Sequence, residues 1–153
     1  MEHKHTIPAF KVVGPEGYGS NVTGLLWLTT RYRGESDLLK VRQFIKAHEK
    51  LCPIYKEGEV VKALPHSVGV LCFRHYRDAA RFKEGYRELA NARILKIKGH
   101  KPSDCCTILG GAMDLSYLSK LAVPDRLPKD GLVSAPLGTI GFESIRVGKE
   151  TTQ

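Results

Sequence analysis

Ser67-Val-Gly-Val-Leu-Cys-Phe-Arg-His-Tyr-Arg-Asp-Ala-Ala-Arg-Phe-Lys-Glu-Gly-Tyr-Arg-Glu-Leu-Ala-Asn-Ala-Arg-Ile-Leu-Lys-Ile-Lys98 changes its hydrophobic period twice. Residues 68–73 are apolar on both alternating sets, the pattern of a central strand covered on each face. Over residues 76–91, Ala79, Phe82, Tyr86, Leu89 and Ala90 fall on one side of a helix, while Arg77, Arg81, Glu84 and Glu88 fall on another. Residues 93–98 alternate again, Leu95 and Ile97 against Lys96 and Lys98, and Gly99 closes the run. The unit reads as a strand, a basic amphipathic helix and a second strand. It sets the class as α+β, with a mixed or antiparallel sheet and two main helices packed on it.

Upstream, residues 9–13 form a short β-type run that stops at Gly14-Pro15-Glu16-Gly17-Tyr18-Gly19, a turn signal. Residues 22–30 are rich in β-branched and aromatic side chains and include Trp27, so they read as a second strand despite Gly24. Ser36 is a good N-cap for a helix over 37–50, in which Leu38, Val41, Phe44, Ile45 and His48 share a face. Pro53 ends that segment, and residues 55–63 suit a strand. Downstream the pattern predicts a short helix at 116–121, a short strand at 132–135, a final strand at 139–147 and a loose tail from about 148.

A chain of 153 residues and 17.0 kDa with 42% hydrophobic residues buries a core without a staple, so one domain is expected over 1–153, with residues 36–51 as an inserted helix. No stretch approaches the ~18 consecutive apolar residues of a membrane span, and Met1-Glu2-His3-Lys4-His5 lacks the apolar core of a secretory signal. A cytoplasmic protein with no membrane contact is the expectation. Cys52, Cys72 and the adjacent Cys105-Cys106 then read as free thiols.

The net charge of +8 points to an anionic partner, nucleic acid or an acidic protein surface. Between Arg74 and Lys101 nine basic residues face three acids, so this stretch holds most of the excess. Arg74, Arg77, Arg81, Lys83, Arg87, Lys96 and Lys98 are the candidate anion-binding residues, the first three about one helical turn apart. A metal site can be assembled from Cys72-x-x-His75 and His100-x4-Cys105, but the spacing is not that of structural zinc, and neither metal nor cofactor is expected. No nucleophile elbow, phosphate loop or paired-carboxylate motif is present, so no catalytic residue is assigned.

Three resemblances bear on this reading. The expected order, strands starting at Leu25, Tyr55, Ser67 and Arg93 with helices from Ser36 and Tyr76, resembles the ferredoxin-like plan and its RNA-recognition modules. The positions that would stack bases in such a module are Val68 and Val70 here, so its base platform is missing. Phe10-Lys-Val-Val13, the 55–63 run with Gly58, Gly69-Val-Leu-Cys-Phe73, Asp78-Ala-Ala-Arg-Phe82, Ile94-Leu-Lys-Ile-Lys-Gly99 and Pro136-Leu-Gly-Thr-Ile-Gly141 resemble, in that order, a group of small phage and prophage proteins. Tyr32-Arg33-Gly34 with Glu143 resembles ADP-ribosyltransferase-like folds without their central Ser-Thr-Ser element. The reading that results is a small, basic, non-enzymatic protein of phage type that binds an anionic macromolecule. The alternatives are an ADP-ribosyltransferase-like enzyme and a structural or assembly protein.

Overall fold

In the computed structural model the chain is described over residues 5–64, 69–104, 107–109 and 132–152. It runs β1 (Thr6–Val13), α1 (Ser20–Tyr32), α2 (Glu35–Ala47), β2 (Val60–Lys62), β3 (Val70–Phe73), α3 (Tyr76–Glu84), β4 (Arg93–Asp104), β5 (Thr107–Leu109), β6 (Leu132–Ser134) and β7 (Thr139–Glu150). A 3-10 turn at Arg87–Leu89 follows α3. The class is α+β, and every strand pairing among the described residues is antiparallel.

The main sheet closes on itself. β1 pairs with β4 along Thr6↔His100 to Val13↔Arg93 and with β3 at Phe10↔Phe73. β7 pairs with β4 on one edge, and with both β3 and β2 on the other. The ring β1-β3-β7-β4 is thus a four-stranded barrel with β2 laid beside the C-terminal half of β7. So narrow a barrel has room only for side chains. Its filling is Ala9, Val13, Val70, Cys72, Leu95, Ile97, Ile140, Phe142, Ile145 and Val147, capped by Tyr55. Phe142, Ile140 and Val13 have no exposed surface. Gly99 makes this packing feasible, because a Cβ at that position would run into the Phe142 ring. The inward set of β7 is Ile140 and Phe142, then Ile145 and Val147, so its alternation slips by one residue in between. Lys101 of β4 lies opposite with φ of 54°, and the two long strands bend together there.

The outer face of the barrel is divided. At one end α3 lays Tyr76, Ala79, Ala80 and Phe82 over Phe10, Val12, Phe73 and Ile94. The aromatic pairs Phe10–Tyr76 and Phe73–Phe82, with centroids 5.9 and 5.2 Å apart, bind the helix to β1 and β3. Asp78 is buried in the first turn of α3, where the helix dipole favours a carboxylate, and Gly138, at φ +83°, lets the turn before β7 pass against it. β3 and β4 are not neighbours: β1 lies between them, so the unit at 67–98 spans two strands of the ring rather than an adjacent pair.

Residues 22–30 form α1, not a strand. Val22, Leu25, Leu26 and Thr29 stand at helical spacing and are buried with Val41, Ile45 and Cys52, so a second small core overrides their β propensity. The Thr29 and Thr30 hydroxyls donate to the carbonyls of Leu25 and Leu26 at 2.7 Å each, which satisfies them within the helix. There are therefore three α-helices among the described residues, and the helix that sequence reading set apart as an insertion, α2, is the partner of α1. Its N-cap is Gly34, and Ser36 lies inside the first turn.

Other boundaries move for local reasons. The long helix expected over 76–91 stops at Gly85, and Tyr86 is extended before the 3-10 turn begins. Of residues 55–63 only Val60–Lys62 pair as a strand, while Tyr55 folds in over the barrel and donates its N–H to the Gly17 carbonyl at 2.8 Å. The expected loose tail is ordered: β7 runs through Glu150 opposite Leu95, and the Thr151 N–H donates to Ile94 at 2.8 Å. The strand expected at 139–147 is β7, and that at 132–135 is β6. The helix expected at 116–121 lies outside the described residues, as do residues 67 and 68 at the start of the quoted stretch.

Candidate functional site

Strand register places basic side chains together on the outer face of the barrel beyond α3. Ile7, Ala9, Val61, Leu95, Ile97, Ile145 and Val147 face the core, so their neighbours in sequence face out. One outward row across the strands is Val60, Arg146, Lys98 and Pro8; the next is Lys62, Ser144, His100 and Thr6. Lys96, opposite Phe10, extends the patch toward α3. Lys62, Lys96, Lys98 and Arg146 are all exposed.

Arg146 and Lys98 are direct cross-strand partners, so their Cβ atoms are about 5 Å apart, and Lys96 stands about 7 Å along the same strand from Lys98. Like charges placed directly opposite are destabilising, and none of these outward rows carries a carboxylate to offset them. Of the acids near the patch, Glu143 pairs with Lys101 at 3.5 Å and Glu150 with Arg93 at 3.8 Å, while exposed Glu57 and Glu59 flank it on the segment leading into β2. Arg146 Nη1 donates to the Gly58 carbonyl at 3.0 Å, which anchors one side of its guanidinium and leaves the others to solvent. The patch is a fixed positive field on rigid strands.

The seven residues singled out from sequence do not form one cluster. Lys96 and Lys98 belong to the strand patch. Arg77 and Arg81 lie one turn apart on the exposed side of α3, with exposed Arg74 just before the helix, its N–H donating to Gly138 at 2.9 Å. Lys83 is half-buried near the C-terminus of α3, and Arg87 stands on the 3-10 turn, which packs against α1 rather than the strand patch. Lys62 and Arg146 were missed. Their strands show alternation in sequence, but only the register of β7 between β2 and β4 sets these two beside Lys98.

Cys72 points into the barrel while His75 is exposed at the start of α3, so the paper metal site is not assembled from that pair, and Cys105 lies outside the described residues. Among the described residues no three His, Cys, Asp or Glu side chains converge as metal ligands. Cys52 and Cys72 are free thiols, and burial pushes both up to about 11. Neither is expected to react with iodoacetamide at pH 8 in the native protein, and both should react in urea; mass spectrometry of the alkylated chain reads the difference.

Tyr32 and Arg33 end α1, where Arg33 lies 4.0 Å from Asp37, and Glu143 is held by Lys101 on the barrel. These residues stand on elements packed against different neighbours. No helix among the described residues is long and apolar enough to cross a membrane. No family model, curated protein or solved structure matches the chain.

Proposed function

We propose that the chain is a non-enzymatic nucleic-acid-binding protein whose contact surface is the outward face of β2, β7 and β4, flanked by Arg77 and Arg81 of α3. The observation that carries this reading is the direct cross-strand placement of Arg146 opposite Lys98, with Lys96 and Lys62 on adjoining outward positions and no carboxylate among them. A fold tolerates uncompensated like charge on a rigid sheet when a polyanion supplies the counter-charge, and phosphates at regular spacing do so. Arginine and lysine at these positions reach phosphate oxygens, not base edges in a groove, so binding is expected to follow backbone charge with little sequence preference.

Fluorescence anisotropy with a labelled oligonucleotide tests the reading. The double variant Lys96→Glu, Lys98→Glu should weaken binding at least tenfold at low salt, and Arg77→Glu with Arg81→Glu should weaken it less. Unchanged binding in the strand variant would overturn the proposal. So would retention of the wild-type chain on an acidic polypeptide but not on nucleic acid.

A further inference from the structure

A pair of aromatic rings stands between the two basic groups of the candidate surface. Phe10 faces outward from β1, because its neighbour Ala9 fills the barrel. Its cross-strand partner on β4 is Lys96, which puts the two Cβ atoms about 5 Å apart. On the side toward α3 the Phe10 ring meets that of Tyr76, the first residue of the helix, at 5.9 Å between centroids and 84° between planes. Exposed Arg77 follows Tyr76 directly. Across the surface the order is therefore Lys98 and Lys96, then Phe10 and Tyr76, then Arg77: cation, aromatic, cation.

These rings are not sealed by the helix. Phe10 and Tyr76 are only partly buried, and an edge-to-face contact uses the edge of one ring and a single face of the other. On the far side of Lys96, β7 contributes Gly148, where a Cβ would stand 3.7 Å from the side chain of Lys96. No side chain of β7 rises beside that ammonium. Among the described residues no carboxylate pairs with Lys96, Lys98 or Arg77, so the charge on both sides of the rings is uncompensated.

We propose that this surface takes nucleic acid as a single strand, with an unpaired base laid on the Phe10 and Tyr76 rings and the flanking phosphates on Lys96, Lys98 and Arg77. The proposal rests on the nucleic-acid reading above and deepens it. Bases in a duplex are stacked on one another and offer no free face, so aromatic rings set between phosphate-binding cations serve a strand whose bases are open. Every base has such a face, and the selection is for strandedness rather than sequence.

Fluorescence anisotropy with three labelled probes tests it: oligothymidylate, an abasic strand carrying the same number of phosphates, and a duplex of the same length. The wild-type chain should bind the intact strand about tenfold more tightly than the abasic one, and more tightly than the duplex. Tyr76→Leu keeps an apolar side chain against Phe10 but offers no ring. It should bring the intact strand down to the affinity of the abasic strand and leave the abasic affinity unchanged. Where Tyr76→Leu does not fold, Phe10→Leu is read in its place, and the wild-type comparison of intact with abasic strand decides by itself.

Equal binding of the intact and abasic strands overturns the stacking site while the nucleic-acid reading stands. Tighter binding of the duplex does the same. Binding of none of the probes overturns both. A folded Tyr76→Leu that keeps the full preference for the intact strand overturns the placing of the base on this pair.

Discussion

Phe142→Ala is expected to destabilise the chain by about 3–5 kcal/mol, the range for deleting a fully buried aromatic ring that leaves a cavity behind. Phe142 has no exposed surface and fills the barrel where β4 contributes Gly99 and no side chain. Four strands leave no slack for neighbours to close the gap. The converse change, Gly99→Ala, places a methyl group where the ring now lies and should cost about 1–3 kcal/mol through overpacking. Because both act on one contact, they will not add. Combining Gly99→Ala with Phe142→Leu should recover part of the loss, since the smaller side chain vacates the space the methyl needs. Urea unfolding of Gly99→Ala, Phe142→Leu and the double variant measures this, and strict additivity would show that Phe142 and Gly99 are not in contact.

Binding of nucleic acid should be steeply salt-dependent. If Lys62, Lys96, Lys98 and Arg146 each neutralise one phosphate, the plot of log affinity against log salt should have a slope of about −3 to −4, and affinity should fall on the order of a hundredfold between 50 and 200 mM salt. Lys98→Glu with Arg146→Glu should flatten that slope by about 2 and lower affinity across all sequences alike. Lys98→Glu alone turns the like-charge pair between neighbouring strands into an opposite-charge one, so the stability of that single variant should be equal to or above that of the wild type. A strand patch with only a structural role would show the opposite pattern, unchanged salt slope and reduced stability.

A smaller effect is expected at acid pH. The hydrogen bonds from Arg42 hold the Glu16 carboxyl below its ordinary value of 4.5. A carboxyl depressed in the folded state contributes stability that is fully present above its unfolded value and is lost as pH falls through the folded one. Both side chains are about half exposed, so solvent screening limits the contribution to about 0.2–1 kcal/mol. Comparing the stabilities of wild type and Arg42→Ala as a function of pH checks it: the advantage of the wild type should be present at about pH 6 and should shrink as pH falls below 4.5, and an advantage that stayed constant into the acid range would contradict the assignment.

Much of the β architecture could be read along the chain. Alternation of Leu95 and Ile97 with Lys96 and Lys98 identified β4 and correctly assigned its two faces, because a strand's side chains have a period of two whatever it pairs with. The run at 139–147 identified β7 for the same reason. α1 was misread because Val, Thr and Trp suit a strand locally, and only the second core formed with Val41, Ile45 and Cys52 made helical burial the better solution. The tail was misread because nothing in Gly148-Lys149-Glu150 indicates pairing; β4 supplies the partner from more than forty residues away.

The candidate surface divides along the same line. Sequence alone determined that the chain is basic, that the excess is concentrated between Arg74 and Lys101, and that Lys96 and Lys98 face away from the core, since charge and periodicity are local properties. The closing of the barrel, the placing of Arg146 opposite Lys98 and Lys62 beside them, and the burial of Lys11 against the Leu71 carbonyl and the Tyr55 ring were decided by tertiary structure. Each depends on which strand lies next to which and in what register, and register is set by the whole buried set of side chains at once.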